Sequence, residues 1–339
     1  MKRLSRHTLI NLVIPIIILL IWASCNFLPS KQDFSEPLKE LVINRNPLEF
    51  TGEVRVEGGC VNARCGERGG PFFDAQEKPV CVRSFIMSKY LVTYELWFVV
   101  RVWGERHGYT FGNVGHEGTN EREGSVPTLP KYGDALAAKY EPVSCISWRD
   151  AIVWCNALSE YLGLTPVFYT DAEYKTPLRV STTSHSETVN EKGSQDCPYI
   201  YAEEVGNIEI KKCTANGYRL PTECEWEFAA RGGNPKAEMW KYNYSGSNNI
   251  DEVAWYFGNS DGTSHVVGQK KPNALGIYDM SGNVWEWCWE WASNDKNFRS
   301  KRGGSWGYQA PRCTVHSRDS YYPYYAFYRS GMRLVRSAR

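Results

Sequence analysis

The sequence has almost no excess of charge of either sign. Its 339 residues include 39 Lys plus Arg against 38 Asp plus Glu, which gives a formal net charge of +1 at pH 7. Nucleic-acid binding depends on a basic surface that neutralises phosphates, and this composition supplies no surplus of basic residues for one. We therefore expect no nucleic-acid partner.

Clustered histidines and zinc-finger spacings are also missing. The six His are scattered, and although Cys60 and Cys65 lie near each other, no second Cys/His pair follows at a finger-like interval. Aromatic residues and chain-breaking residues are abundant instead, with 13 Trp, 21 Tyr, 29 Gly and 17 Pro, and no internal repeat is visible. This composition predicts a loop-rich domain of short elements held together by aromatic side chains.

The N-terminus has the pattern of an export signal. Three of the first six residues are basic, and the uncharged apolar run Leu12–Ala23 is too short to span a membrane comfortably. Two small residues then precede Cys25, which resembles the lipobox of bacterial lipoproteins, although Trp22 stands where Leu is usual. Residues 1–25 are thus predicted to be a lipoprotein signal peptide, and lipidated Cys25 is predicted to anchor the chain to an envelope membrane. An uncleaved signal anchor is the alternative.

The rest of the chain divides into a tether and one large domain. Residues 26–50 are polar, contain three Pro and show no sustained apolar period, so we interpret them as a tether. Residues 51–339 form the domain, with a polar, irregular insertion near 170–212. In an exported protein the cysteines after Cys25 can pair as disulfides or stay buried as thiols, and the sequence leaves both possibilities open.

Three helices are predicted from their capping residues. One begins at Thr93, a second follows Ser147 and ends near Gly163, and a third follows Thr222 and ends at Gly232. The second and third have an acidic residue three positions after the cap, as a capping box requires. The chain after these helices has no long helical period.

Several ordered motifs resemble the sulfatase-modifying-factor (formylglycine-generating enzyme) family. They are the segments Lys89–Trp97, Asn216–Gly233, Asn273–Trp287, Arg302–Trp306 and Ser330–Leu334. As a bacterial lipoprotein member of this family, the chain is expected to have an α+β, C-type-lectin-like fold with little regular secondary structure. The alternating Trp residues of Trp285–Trp291 are predicted to pack one strand face against the core, with carbohydrate stacking as the alternative.

The resemblance also implies a calcium site in the loop before the Trp-rich strand. The family's ligands, one side-chain oxygen and several backbone carbonyls, carry over to Asp279, Met280, Gly282 and Val284. Calcium takes six to eight oxygen ligands, which suits a glycine-containing loop. The alternative is that Asp279 only stabilises a tight turn through hydrogen bonds. A second family site would fall on a looser set of positions: Asn249, Ile250, Asn259 and Asp261.

The catalytic pair of the family is incomplete in this chain. Its active members oxidise a sulfatase cysteine with oxygen and a copper(I) ion held between two thiolates. The corresponding positions here are Tyr308 and Cys313. A phenol is a poor ligand for copper(I), so copper is not expected as a cofactor and Cys313 is left as the candidate catalytic residue. Its alternatives are a disulfide with Cys288 or a couple with His316.

Two functional hypotheses follow. The first is a non-catalytic or divergent family member in the bacterial envelope, periplasmic or surface-exposed, that binds a protein, peptide or glycan. The second is a copper-dependent formylglycine-generating oxidase in which Cys313 works with some other ligand. Tyr308 argues against the second hypothesis. A sulfoxide-synthase-like iron enzyme would need clustered histidines, which the sequence lacks.

Overall fold

A computed structural model describes the chain over residues 52–61, 79–118, 140–184, 191–203, 212–292 and 296–338. These residues all belong to one compact unit, Asn46–Arg339. The predicted signal peptide, Cys25 and the tether lie outside the described residues. Within the described ranges, no helix combines the length and apolar character needed to cross a bilayer.

The predicted helices form where their capping residues place them. The α-helices are α1 (Tyr94–Arg106), α2 (Trp148–Tyr161), α3 (Glu223–Ala230) and the short α4 (Ile250–Val253). The Thr93 hydroxyl accepts a hydrogen bond from the Leu96 amide at the start of α1. Ser147 and Thr222 form complete capping boxes on α2 and α3, which satisfy backbone N–H groups that a helix end leaves without partners. All three helix predictions are confirmed.

The strands are short, and most lie in two-stranded antiparallel sheets. They are β1 (Glu53–Val56), β2 (Gly59–Val61), β3 (Val80–Val82), β4 (Phe85–Ser88), β5 (His116–Glu117), β6 (Val143–Ser144), β7 (Phe168–Tyr169), β8 (Tyr199–Ile200), β9 (Ala202–Glu203), β10 (Lys212–Cys213), β11 (Trp285–Trp291), β12 (Arg299–Arg302), β13 (Arg318–Tyr321), β14 (Ser330–Gly331) and β15 (Val335–Ser337). Two sheets have more than two strands, with orders β1-β4-β15 and β13-β12-β11-β14. Together with the helices they make the predicted α+β architecture.

The polar insertion near 170–212 is partly packed into this architecture. Strands β7 and β8 pair antiparallel across it, as do β9 and β10. Within it, Asp196 is buried and forms a two-point salt bridge with the buried Arg149 of α2. The segment therefore carries a buried ionic contact with the main helices.

Aromatic stacking joins helices α1 and α2. The rings of Trp97 and Trp154 are nearly parallel, with centroids 5.4 Å apart, and the Trp154 indole N–H donates to the Trp97 carbonyl at 3.0 Å. Stacking buries the apolar faces of the Trp154 ring, and the hydrogen bond gives its polar N–H a partner. This contact lies in the larger of the hydrophobic clusters, which also receives Trp287 and Trp289 from β11.

Strand β11 is buried on both faces. Trp285, Trp287 and Trp289 are almost inaccessible, which agrees with the predicted core-packing face. On the opposite face, Cys288 packs with the cluster under α3, and the Glu286 carboxylate accepts the Trp226 indole N–H at 2.9 Å. The strand therefore carries a carboxylate into the interior, where it requires a partner.

That partner is Arg333, which is fully buried with Glu286. Its guanidinium contacts both carboxylate oxygens, at 2.9 and 3.1 Å. The remaining N–H groups donate to the carbonyls of Ser88, Lys89 and Tyr278 at 2.7–3.1 Å. All five guanidinium donors are thus used. The pair joins the first sheet, the loop before β11 and the C-terminal segment.

A disulfide closes one hairpin at the start of the domain. Cys60 and Cys81 lie directly opposite each other in the β2–β3 ladder and are bonded. This observation confirms the expectation that some cysteines of the domain are paired. The pairing of Cys65 lies outside the described residues.

The buried Glu286–Arg333 pair should dominate stability in a mutational test. Replacing Arg333 by Met leaves a buried carboxylate without its counter-charge, so we expect a loss of about 3–5 kcal/mol in the free energy of unfolding, measured by urea denaturation. The control is Arg55→Met, which breaks the exposed Arg55–Glu57 pair and should change the stability far less, because solvent screens the pair. Equal losses in both variants would contradict this assignment.

Candidate functional site

Cys313 lies at the end of a 3₁₀ turn, Ala310–Cys313, and is completely buried. The turn packs against the Gly303-Gly304 pair that follows β12. Gly304 has a φ of +79°, and a Cβ added there would lie 2.7 Å from the Cys313 sulfur and 2.5 Å from the Arg312 carbonyl oxygen. Only glycine fits this approach. The second Gly of the motif therefore holds the cysteine turn against the sheet.

The surroundings of Cys313 keep its sulfur protonated. Burial raises the pKa of the thiol to about 12, opposed in part by the Ser305 backbone and by the charge of Arg312. The sulfur lies 3.9 Å from the Ser305 carbonyl oxygen, to which the S–H donates. A buried thiol with a raised pKa is neither a good nucleophile nor a good metal ligand at neutral pH.

The predicted Cys313–Cys288 disulfide is wrong. Both cysteines are free and buried. Cys288 points to the α3 face of β11, whereas Cys313 packs with Ile250 and Ala254 in a separate cluster. The alternation of side chains along a strand explains the difference, because Cys288 lies on the face opposite to Trp285 and Trp287.

Tyr308 occupies the position of the first family cysteine and is half-buried among aromatic and cationic groups. Its ring meets Trp285 edge to face, with centroids 5.6 Å apart, and the guanidiniums of Arg312 and Arg329 lie 5.9 and 5.5 Å from its centre. Burial, followed by the Asp319 charge, raises the pKa of the phenol. Tyr308 is therefore neutral at physiological pH. A phenol and a single thiol do not provide the two soft sulfur ligands that the copper(I) site of this family uses, and we assign no copper site here.

We use the word recess for the half-buried cluster of Trp285, Tyr308, Arg312 and Arg329, and exposed aromatic side chains lie near it. The Phe257 amide donates to the Tyr308 carbonyl at 3.0 Å, and the Phe257 side chain is 59% exposed. Tyr325, which is 45% exposed, stacks at a tilt on Tyr321 with centroids 4.7 Å apart. Large exposed aromatics beside a partly buried recess are typical of a binding surface. We call these residues and Tyr308 the aromatic rim.

The sequence analysis did not identify most of this rim. The aromatic run Tyr321–Tyr328 was an available signal, since six of its eight residues are Tyr or Phe. Nothing in the sequence marks Phe257 as part of the rim, because it lies 51 residues before Tyr308 and only the fold brings the two together.

The predicted calcium loop contains a buried carboxylate that is only half satisfied. Asp279 is 2% exposed, and its Oδ2 accepts the Gly268 amide at 2.7 Å, while the buried Oδ1 makes no hydrogen bond of good geometry. Burial raises the pKa of this carboxyl to about 6, opposed in part by the Gly268 amide, the Arg333 charge and the Asn283 side chain. A buried carboxylate oxygen without a close partner suits a cation ligand. The contacts with Gly268 and Asn283 also agree with the turn-stabilising alternative.

The other predicted ligands adjoin Asp279 along the same loop. Met280, Gly282 and Val284 are available through their backbone carbonyls, and Gly282 has a φ of +78° that turns the chain between them. In the described ranges, no group of three or more His, Cys, Asp or Glu side chains is placed to hold a metal ion. A calcium ion here would therefore be held by Asp279 and these carbonyls, and the residues present fit it.

The looser second set does not form a comparable site. Asn249 accepts the Asp251 amide as the cap of α4, and the Ile250 carbonyl accepts the Ala254 amide. The Asn259 side-chain Oδ1 accepts the Tyr256 amide at 3.0 Å. These oxygens already serve local turns, so the structure gives no support to a second calcium ion at this place.

Comparison with known proteins places the chain among sulfatase-modifying factors. The sulfatase-modifying factor enzyme 1-like domain matches residues 39–338. Chaperone protein LppX of Paenibacillus barcinonensis is 38% identical over 254 residues, which cover 68% of this chain and 72% of LppX. The crystal structure of CarF superposes with a TM-score of 0.64 at 28% identity, covering 85% of this chain and 99% of CarF. The predicted C-type-lectin-like fold of this family is confirmed.

Named enzymes of the family match only in part. Inactive C-alpha-formylglycine-generating enzyme 2 of Bos taurus is 39% identical over 103 residues, 28% of this chain and 34% of that protein. Formylglycine-generating enzyme of Thermomonospora curvata is 37% identical over 98 residues, 26% of this chain and 32% of that protein. The chain thus spans about a third of each, and it is equally similar to an active and an inactive enzyme.

Calcium removal provides a direct test of the Asp279 loop. A ligand that binds only the folded state raises the melting temperature by mass action, so chelation should lower Tm in the wild type. Asp279→Asn should abolish this sensitivity, whereas Asp261→Asn, in the second set, should retain it. Differential scanning fluorimetry with and without chelator measures both. Superimposable wild-type curves would remove the site.

Copper chemistry can be tested separately. The unmodified protein, incubated with copper(I), oxygen and a Cys-x-Pro-x-Arg peptide, should yield no aldehyde by mass spectrometry, because one thiolate of the pair is absent. Tyr308→Cys restores the second sulfur, and we expect it to increase copper(I) binding in a competition assay. Conversion of the peptide by the unmodified protein would establish it as an oxidase.

Proposed function

Because the chain belongs to the family of sulfatase-modifying factor enzyme 1-like domains, we propose that it is a non-catalytic member that binds polypeptides in the bacterial envelope. The observation that carries this proposal is that Tyr308 packs against the cluster that contains Cys313, so that one phenol and one thiol stand where the family's oxidases have two cysteines. Family membership alone does not establish an activity, since one fold supports many functions.

Binding is supported by what surrounds the lost catalytic pair. The aromatic rim exposes Phe257 and Tyr325 next to the recess that holds Tyr308. Aromatic side chains contribute large contact areas at little conformational cost and are enriched at the centres of interfaces. These exposed rings support the binding of a ligand next to Tyr308.

A polypeptide is the ligand best supported. Exposed aromatic rings can stack on sugars as well as on side chains, so the rim by itself admits a glycan. The similarity to LppX, a protein named as a chaperone, extends over 68% of this chain. A chaperone binds segments that are extended or not yet folded, and an aromatic surface beside a recess suits such segments.

The envelope location rests on the N-terminal pattern. Small residues before Cys25 and a short apolar run support a lipid anchor that presents the domain in the periplasm or at the cell surface. The Cys60–Cys81 disulfide fits an oxidising compartment.

The test uses an unfolded polypeptide as the probe. Fluorescently labelled, reduced and carbamidomethylated α-lactalbumin is titrated with the Cys25→Ala protein, which we expect in the soluble envelope fraction, whereas the unmodified chain sediments with membranes. Fluorescence anisotropy should report binding. Phe257→Ser and Tyr325→Ser should each weaken it about fivefold or more, since buried aromatics dominate interface energies.

The matched control is Val180→Ser. Val180 is 48% exposed and pairs with Thr110, apart from the aromatic rim. Its replacement removes a similarly exposed apolar side chain and should leave the affinity unchanged. Equal affinity in all variants, or an absence of binding by the parent protein, would refute the proposal.

A further inference from the structure

Three cationic side chains converge on the two rings at the centre of the recess. The Arg312 guanidinium lies 5.5 Å from the centre of the Trp285 ring and 5.9 Å from that of Tyr308. Lys301 lies 5.8 Å from the Trp285 ring centre, and Arg329 lies 5.5 Å from that of Tyr308. The faces of aromatic rings attract cations, which allows these groups to gather despite their like charge.

Two of these cations share a single carboxylate. Asp319 lies 3.3 Å from the Lys301 ammonium and 3.5 Å from the Arg312 guanidinium. In the antiparallel pairing of β12 with β13, Asp319 lies directly opposite Lys301. Burial lowers the pKa of Lys301, and the positive charge of Arg312 lowers it further, which shows that the two groups repel each other. One carboxylate between them leaves positive charge in excess.

Lys301 and Arg312 differ in how far their side chains are exposed to solvent. The Lys301 side chain is 1% exposed, lies among four aromatic rings and points at the Ser330 hydroxyl, 3.4 Å away. Lys301 is therefore inaccessible to a ligand, but its ammonium forms an ion pair with Asp319 in the interior. The Arg312 side chain is 46% exposed. Arg312 is therefore the cation that a bound molecule meets first.

The chemistry of Arg312 specifies the class of ligand. A guanidinium held against aromatic faces keeps its planar N–H groups available at the edge, and this fork matches a carboxylate in a two-point geometry. The Asp319 contact is long for an ion pair, at 3.5 Å. An incoming carboxylate can thus approach Arg312 without first displacing a close partner.

We propose that this recess contains an anion-binding subsite, centred on Arg312 and supported by Lys301 and Arg329, that accepts a carboxylate of the bound polypeptide. The proposal rests on the proposed function, which it makes more specific: the preferred segment combines aromatic or apolar residues, for the rim, with an acidic group. The carboxylate belongs either to an Asp or Glu side chain or to a chain terminus.

Matched peptides separate these sources. The first is acetyl-Gly-Phe-Tyr-Glu-Tyr-Phe-Gly-amide, the second has Gln in place of Glu, and the third has Gln and a free C-terminal carboxylate. Fluorescent derivatives are titrated with the Cys25→Ala protein at low salt and at about 0.3 M NaCl, where exposed charges are screened. We expect at least one acidic peptide to bind about three- to tenfold more tightly than the neutral one at low salt.

Variants assign the preference to a residue. Arg312→Gln should abolish the preference for acid while retaining affinity for the neutral peptide, and Arg312→Lys should keep part of it, since the charge remains but the planar fork is lost. The control is Arg55→Gln, because the Arg55 side chain is similarly exposed, at 49%, and is also paired with a carboxylate. It should keep the full preference.

The outcomes distinguish this proposal from the one on which it rests. Equal binding of the acidic and neutral peptides would overturn the anion subsite and leave polypeptide binding intact. A preference that survives in Arg312→Gln would likewise overturn it. Failure of all three peptides to bind would overturn the anion subsite, while the α-lactalbumin titration decides independently whether the protein binds polypeptides.

Discussion

The buried pair of Glu286 and Arg333 is the constraint on which the rest of the domain depends. A carboxylate placed in the interior must be neutralised, and only a guanidinium with all its donors used can do so at acceptable cost. Arg333 meets that requirement by binding carbonyls from the first sheet and from the loop before β11. The pair therefore fixes where three distant parts of the chain meet, beyond holding two strands together.

Fixing β11 in this way also sets the binding recess. Because the Glu286 face of β11 is turned toward α3, the Trp face points the other way. On that face, the Trp285 ring contacts the ring of Tyr308 and the guanidinium of Arg312. Lys301 and Asp319 join it through the β12 and β13 registers. Strand register thus brings these residues of the recess together.

Loss of one thiolate changes what such a recess can do. The remaining thiol of Cys313 is buried and its pKa is raised, so it is a packing group in the cluster with Ile250 and Ala254. Tyr308 contributes a ring that two guanidiniums approach. The position that would carry a soft metal ligand in an oxidase of the family here carries an aromatic ring with cationic neighbours, which is the basis of the binding role proposed above.

The sequence by itself determined the helices and the family. Thr93, Ser147 and Thr222 cap their helices through bonds to residues three positions away, and such local contacts can be read directly from residue spacing. The ordered motifs were enough to indicate the fold, and the Trp alternation indicated one buried face of β11. Tertiary structure alone decided that the Glu face is buried too and that Cys288 and Cys313 lie in different clusters. It also decided that Phe257 and Tyr325 flank the recess and that Arg312 and Lys301 share Asp319. These outcomes depend on strand register and on which distant segments of the chain come into contact. Neither can be predicted from the spacing of residues along the sequence.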